Sequence, residues 1–382
     1  MSRAFIIDAV RSPMGRAQKG AMAGIRPDNL AATIVEALLE RQKSLPRERI
    51  DDIIAATAFP EAEQGMNLGR VIAQRAGLPD PVAGMTINRF CASGLEAIAI
   101  AHAKIETGMA DAIIAVGVES MSKIPMGGHL FTPNPQLARE RPGLYLGMGL
   151  TAENLADRYE ISREEQDAFA LESHRRAIAA DEAGDWKDEF VPVAGNGNGS
   201  LVEHDELPRA DTSLEALGKL RAAFREGGSV TAGNSSPLTD GAAASLLVSE
   251  ELANEFGLVP LGRLVSYSVC GVDPEIMGIG PVKAVPKALA GAGWSLDEIQ
   301  SIELNEAFAA QSLAVMRELK LDHDRTNPQG GAIALGHPLG CSGARLVGTL
   351  LHRMRREKQE RGMATLCVGG GMGAAATFEA VH

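Results

Sequence analysis

The chain has 382 residues, 45% of them hydrophobic, with 37 Lys plus Arg against 49 Asp plus Glu and a net charge of −12. That length predicts two or three domains at roughly 150 residues each and a core that needs no disulfide or metal staple, and the apolar content excludes wholesale disorder. The acidic balance argues against a nucleic-acid or anionic-membrane partner, which both need a basic footprint, but leaves room for a local pocket that takes a small anion.

In chain order, AFIIDAV (4–10) is a short apolar run that predicts a buried strand. LAATIVEALLER has helical spacing, and IDDIIAATAF (Ile50 to Phe59) reads as a strand after it. Next comes NRFCASGLEAIAIAHAKIETG, in which Leu95, Ile98, Ala99, His102 and Ile105 recur at helical intervals. Cys91 therefore sits at a strand-to-helix junction. Exposed N–H groups and the helix dipole there favour a thiolate, although the position taken alone also suits a buried inert thiol. DAIIAVG (111–117) closes this half as another strand.

Residues 118–237 differ in character. They hold SMSKIPMGGHLFTPNP, a charged helix TAENLADRYEISREEQDAFALESHRRAI and a GNGNGS loop. Leu155, Tyr159, Phe169 and Leu171 give that helix an apolar stripe, and Ser162 with Glu165 fits a capping box. The segment reads as an insertion laid over the core, either a substrate-binding wall or a structural cover.

The pattern then repeats. IQSIELNEAF (Ile299 to Phe308) matches IDDIIAATAF, and GCSG (Gly340 to Gly343) matches CASG (Cys91 to Gly94), both at one offset. MATLCVGGGMG from Met363 resembles MADAIIAVGVES from Met109 with the offset grown by a few residues. Two duplicated halves of alternating strand and helix follow, each a mostly parallel or mixed sheet covered by helices. The predicted organisation is 1–117, completed by about 238–257, then 118–237 as the insertion and 258–382 as the second half.

The duplication gives the remaining motifs their meaning. His337, in GGAIALGHPLGCSGAR, occupies the place in the second half that Cys91 occupies in the first. Pseudo-twofold halves would bring the two helix starts together as a Cys–His pair, with the imidazole activating the thiol. Cys367 runs into Gly369–Gly371, whose N–H groups could stabilise an oxyanion, and a second thiol there would serve as a proton shuttle if its pKa lies near the ordinary value. Asn305 ends an apolar strand, where it could hold a water, donate to an anion or cap a helix. Cys270 and Cys341 read as structural. His102 and His174 sit on helices and take no metal in this reading. HExxH, Walker A and CxxC motifs are absent. Four unpaired cysteines point to a reducing compartment. With no signal peptide and no bilayer-length apolar run, a soluble cytoplasmic protein is expected.

Together NRFCASGLEA, GMGLTAEN, VTAGNSSPLTDGAAA, GVDPEIMGIGP, LNEAFAAQ, GGAIALGHPLGCSGAR and TLCVGGGMG resemble, in order and spacing across the whole chain, the motifs of thiolases. The chain is most similar to the 3-ketoacyl-CoA thiolases of fatty-acid β-oxidation. The resemblance implies an α/β fold of layered α-β-α-β-α type with an inserted loop domain. It implies a Cys91 nucleophile, His337 as its activator, Asn305 holding a water that forms one oxyanion hole with His337, and the backbone N–H groups of Cys91 and Gly369 forming the other. Cys367 would protonate the leaving acetyl-CoA enolate. Arg209 and Ser236 would contact CoA, and Met148, Ala307 and Phe308 would line the pocket. No metal or redox cofactor is implied, because CoA is a substrate. Thiolases are typically dimers or tetramers, and some degradative ones join a multifunctional β-oxidation partner. Short-chain biosynthetic thiolases, acetyl-CoA C-acetyltransferases, carry a His where this chain has Gly147. A non-catalytic acyl-CoA carrier would have lost a reactive residue, yet Cys91, Asn305, His337 and Cys367 are all present.

Overall fold

A computed structural model describes residues 3–196 and 200–381; the GNGNGS loop lies partly outside the described residues. The first sheet contains β1 (Ala4–Arg11), β2 (Asp52–Ala56), β3 (Ala83–Ile87), β4 (Ala112–Ser120) and β5 (Thr239–Ser249) in the order β1-β5-β4-β2-β3. The second contains β6 (Arg263–Gly271), β7 (Ser301–Leu304), β8 (Arg361–Val368) and β9 (Met372–Glu379) in the order β6-β9-β8-β7. In both, the strand at the far end of this order pairs parallel and the later strands pair antiparallel. Strands β1, β4 and β5 are buried at every position, as continuous apolar runs covered on both faces should be.

Helices complete five layers. On the outside of the first sheet, α1 (Pro27–Arg41) and α2 (Leu68–Arg75) bury Leu30, Ile34, Val35, Leu38, Leu68 and Ile72. Pro27 and Asp28 start α1 and Arg41 ends it, as the helix dipole and the missing proline N–H favour. Between the sheets lie α3 (Ser93–Glu106) and the 19-residue helix Leu339–Glu357, whose Leu95, Ile98, Leu346 and Leu350 pack against Ile54, Ile113, Leu366 and Phe378. Over the second sheet, helices Gly280–Ala292 and Ala309–Leu319 cover Ile302, Leu304 and Met363.

Residues beyond Ser120 leave the first sheet and return to it at Thr239. This excursion holds α4 (Met148–Arg158) and α5 (Arg163–Glu182). The charged segment read as one helix is thus two. Glu160, at φ 51, turns the chain, and the Ser162–Glu165 capping box starts α5 afresh. Leu155 and Phe169 are buried, one on each helix. The excursion is tied to the core by Arg11, fully buried, which pairs with Glu189 and Asp205 (2.8 Å to the latter) and lies over the rings of Trp186 and Phe190. The later helices are α6 (Gly280–Ala292), α7 (Ala309–Leu319) and α8 (Leu339–Glu357).

Strand register corrects one detail of the repeat. Asp52 lies opposite Ile113, and Ser301 lies opposite Gly362, so both strands of the pair are displaced by the same 249 positions. The offset therefore does not grow toward the C-terminus, and Cys367 corresponds to Val118. The same offset governs the contact of α3 with α8. A methyl on Gly94 would lie 2.5 Å from the Ala344 amide nitrogen, and a methyl on Gly343 would meet the amide nitrogen of Leu95. Gly94 and Gly343 are counterparts, as are Leu95 and Ala344. The two helices thus cross on a pseudo-twofold axis near their N-terminal ends, and glycine is required there because backbone meets backbone.

Candidate active site

The crossing brings the two motif-bearing helix starts together. Cys91 follows Phe90, whose φ of 43° is left-handed, a conformation that costs a non-glycine residue on the order of 1–3 kcal/mol. Neighbouring groups hold it there. The Phe90 N–H donates to Asn88 Oδ1 (2.7 Å), Asn88 Nδ2 donates to the Ala58 carbonyl (2.9 Å), and Ser93 Oγ donates to the Phe90 carbonyl (2.7 Å). This turn brings the Cys91 thiol beside the backbone N–H groups of Gly369 and of Cys91 itself, both of which favour its charged form. Cys367, on the strand that leads into Gly369, is fully buried and close enough that charge on Cys91 opposes its ionisation.

His337 enters from the other half. The helix Ala332–Leu335 stops at Gly336, φ 97°, and the His337 N–H donates to Thr239 Oγ1 (3.1 Å). Its ring has two partners: Nδ1 lies 2.6 Å from Ser342 Oγ, and Nε2 lies 3.3 Å from Asn305 Nδ2. Ser342 Oγ also donates to the Pro338 carbonyl at 2.9 Å. With the serine's single proton on that carbonyl, which can only accept, Nδ1–H donates to Oγ. This assigns the tautomer in which Nε2 carries the free lone pair and the Asn305 amide donates to it. Leu339, two residues beyond His337, shares an apolar cluster with Cys91.

Asn305 extends the second sheet by one bond, its N–H donating to the Thr365 carbonyl (2.9 Å), and its buried Oδ1 has no partner. It is not a helix cap, because α7 starts at Ala309. The adjacent Glu306 carboxylate accepts from Ser173 Oγ (2.7 Å), Asn327 Nδ2 (2.8 Å) and the Ile333 N–H (3.3 Å), which fastens the loop ahead of His337 to the strand.

Electrostatics differ from the expectation at Cys91. Burial pushes its thiol up to about 11, against the pull of the two N–H groups, and burial with the neighbouring Cys91 sulfur raises Cys367. Burial, with the charge of Arg345, lowers the His337 imidazole to about 3. The helix N-terminus does not yield a resting thiolate here, because desolvation outweighs it. Nor does Cys367 keep an ordinary thiol pKa. Thiol and imidazole are both neutral at rest, so the proton has to leave sulfur as the sulfur attacks.

The remaining sequence-predicted residues divide. Met148, Ala307, Phe308 and Cys367 form one apolar cluster with Met277, and Phe308 meets the Phe224 ring edge-on at 5.8 Å. The Ser236 N–H donates to the Ala307 carbonyl (3.0 Å), which places it at the cluster's edge. Arg209 lies apart. Its guanidinium is exposed and pairs with Asp211 (3.3 Å), in a surface cavity lined by Leu171, His174 and Ile178. Cys270 and Cys341 are buried away from the reacting thiols, Cys270 donating to the Lys283 carbonyl (3.3 Å). Ser342, Thr239 and Asn88 were missed from sequence. Ser342 alone left a signal, a hydroxyl one helical turn inside a helix that starts just after His337.

Comparison with known proteins follows the same outline. The family described as Thiolase, N-terminal domain, matches residues 4–251, and Thiolase, C-terminal domain, matches residues 258–380. The chain belongs to the thiolase family. It is 48% identical to the 3-ketoacyl-CoA thiolase of Bacillus subtilis (strain 168), covering 99% of this chain and all of that one. It is 46% identical to an acetyl-CoA acetyltransferase of Pseudomonas aeruginosa, covering 99% of each. The crystal structure of human mitochondrial 3-ketoacyl-CoA thiolase in complex with CoA superposes with a TM-score of 0.92 at 38% identity, covering all of this chain and 98% of that one. Thiolases are acyltransferases, and this chain is an acyltransferase of that family. Among the described residues, no helix is long and apolar enough to cross a membrane.

Proposed function

We propose that this thiolase cleaves 3-ketoacyl-CoA with CoA, giving acetyl-CoA and a shortened acyl-CoA. The observation that carries the reading is the Cys91 sulfur held against Cys367 and the N–H groups of Cys91 and Gly369. His337 Nε2 takes the Cys91 proton as sulfur adds to the C3 carbonyl of the substrate. The C2–C3 bond then breaks, and its electron pair leaves as the acetyl-CoA enolate, which Cys367 protonates. The acyl group on Cys91 passes to the thiol of a second CoA. Two half-reactions through a covalent intermediate give ping-pong kinetics. The two N–H groups are directed where negative charge develops on the thioester oxygen, and one such donor contributes roughly 3–4 kcal/mol. Asn305 donates to Nε2 at rest and, with a water, supports charge on the other carbonyl. Arg209 and Ser236 serve the CoA moiety, and Met148, Ala307 and Phe308 line its path.

The biosynthetic direction is the second reading, since one relative is named an acetyl-CoA acetyltransferase. Gly147 favours degradation of longer chains. It caps α4 at φ −63°, which any residue adopts, and a methyl there would meet open space. A larger residue would fit, so the fold itself does not require glycine here. A series of thiolysis rates, from acetoacetyl-CoA to long-chain 3-ketoacyl-CoAs, tests this; turnover restricted to acetoacetyl-CoA would refute the degradative reading. Assembly as a homodimer or homotetramer in the cytoplasm belongs to the same proposal, and sedimentation checks the oligomer.

A further inference from the structure

Among the buried titratable groups that the reaction above does not use, Glu119 is the one that reaches across to the start of α8. It stands at the end of β4, 1% exposed. Oε2 accepts from the N–H of Ala58 (2.7 Å) and the N–H of Gly340 (2.8 Å), and Oε1 accepts from Thr57 Oγ1 (3.1 Å) and Gln64 Nε2 (2.6 Å). Burial raises its pKa above the ordinary carboxylate value, and these four donors offset that only in part. Every contact donates, and two are main-chain N–H groups that cannot do otherwise, so the carboxylate is the form the site is built for.

The duplication shows what this carboxylate stands for. At the 249-position offset fixed by the strand registers, Ala58 and Phe59 correspond to Ala307 and Phe308, Gly340 to Cys91, and Glu119 to Val368. The swapped Gly94–Ala344 and Gly343–Leu95 contacts relate the two helix starts by the same symmetry. In one copy of the arrangement, the N–H at the helix start is filled by the internal carboxylate. In the other copy it is the N–H of Cys91, and the residue at the place of Glu119 is a valine, which accepts nothing. The first half thus supplies a permanent anion to α8, while the second half leaves the matching position beside Cys91 open.

We propose that Glu119 is a positioning residue: its carboxylate fills the pseudo-twofold counterpart of the anion site at Cys91 and, through the Gly340 N–H, fixes the start of α8 and with it the His337–Pro338 turn. This rests on the reading of Cys91 and His337 as the reacting pair. Glu119 reaches neither substrate nor imidazole; it acts by holding the backbone three residues beyond His337. Its charge faces two titratable groups besides, the thiols of Cys91 and Cys341, and opposes ionisation of both.

Two variants of the full chain test this. Glu119→Ala removes the anchor and is expected to lower kcat by about a hundredfold, the cost of a misplaced reacting group, with KM within about twofold because substrate contacts are untouched. Glu119→Gln retains an oxygen for the Gly340 N–H and so keeps the fold, but loses the charge. Glu119→Gln is therefore expected to regain most of the kcat lost in Glu119→Ala, while in both variants alkylation of Cys91 by iodoacetamide, followed by mass spectrometry of its peptide, is expected to shift its pH midpoint downward because the charge facing the thiol is gone. A loosened fold would also hydrate the thiol and lower this midpoint, so thermal melting is measured alongside, and a Glu119→Ala chain that melts as the wild type does is expected to show the kcat loss all the same. A folded Glu119→Ala chain that matches the wild-type kcat overturns the proposal, as does a folded Glu119→Gln chain that regains none of the loss. A wild-type chain with no thiolysis would instead strike the functional reading.

Discussion

Ser342→Ala tests the assigned histidine tautomer most directly. The hydroxyl is fully buried, 2.6 Å from His337 Nδ1 and 2.9 Å from the Pro338 carbonyl. Alanine removes the acceptor of Nδ1–H. A buried donor without a partner costs about 1–3 kcal/mol. The ring escapes that cost by moving its proton to Nε2, which then points a donor at the Asn305 amide and has no lone pair for the Cys91 proton. Either way the competent state loses roughly 1–3 kcal/mol, and since about 1.4 kcal/mol is tenfold, kcat should fall by about ten- to a hundredfold. KM should stay nearly constant, because no substrate contact changes. Steady-state thiolysis of a 3-ketoacyl-CoA measures both constants, and Ser342→Thr, which keeps the hydroxyl, should regain part of the loss. Wild-type kcat in a folded Ser342→Ala chain would show that Nδ1 does not set the basicity of Nε2.

Three other outcomes follow from the same geometry. Because burial holds the Cys91 thiol at about 11, its alkylation by iodoacetamide should keep accelerating well above neutral pH; a rate already flat at neutral pH would mean a preformed thiolate. Cys367→Ala should stop turnover at the protonation step yet leave Cys91 able to accept an acyl group from a simple thioester, so mass spectrometry should find the acylated chain, and an unacylated one would contradict separate roles for the two sulfurs. Gly343→Ala should melt well below the wild type, since its methyl would press on the Leu95 backbone and overpacking of a tight core costs about 1–3 kcal/mol; an unchanged melting curve would contradict the close helix crossing.

Much of the layered fold was written in the sequence as pattern. Continuous apolar runs marked β1, β4 and β8, and the repeated Ile, Phe and small-residue positions marked the second half. The site was legible to the extent that chemistry follows residue type at a helix start, as at Cys91 and His337. What escaped depends on three-dimensional sums. The sign of the Cys91 shift is a contest between a dipole, visible in the sequence, and desolvation, which is a property of everything packed around it. The break at Tyr159–Ser162 was hidden because the charged and apolar positions on either side keep helical spacing across it, while the positive φ at Glu160 leaves no mark on a non-glycine residue. Thr239 was hidden by its ordinariness: a threonine at the start of a strand acquires meaning only when the His337 N–H stops at its oxygen.

The two halves use one backbone plan for opposite ends. At the start of α8, a main-chain N–H is neutralised by Glu119, and the adjoining turn becomes a rigid platform for the imidazole. At the start of α3, the corresponding N–H faces the Cys91 sulfur, the Phe90 backbone is strained, and no internal carboxylate competes for the donor. Preorganised donors are effective because they are not reoriented when charge appears, and a buried donor left free of protein acceptors is costly on its own. The duplicated fold accommodates both conditions, because the half that is fully satisfied braces the half that is not. Substitutions that fill the open half, or empty the filled one, should therefore act on turnover before they act on the fold.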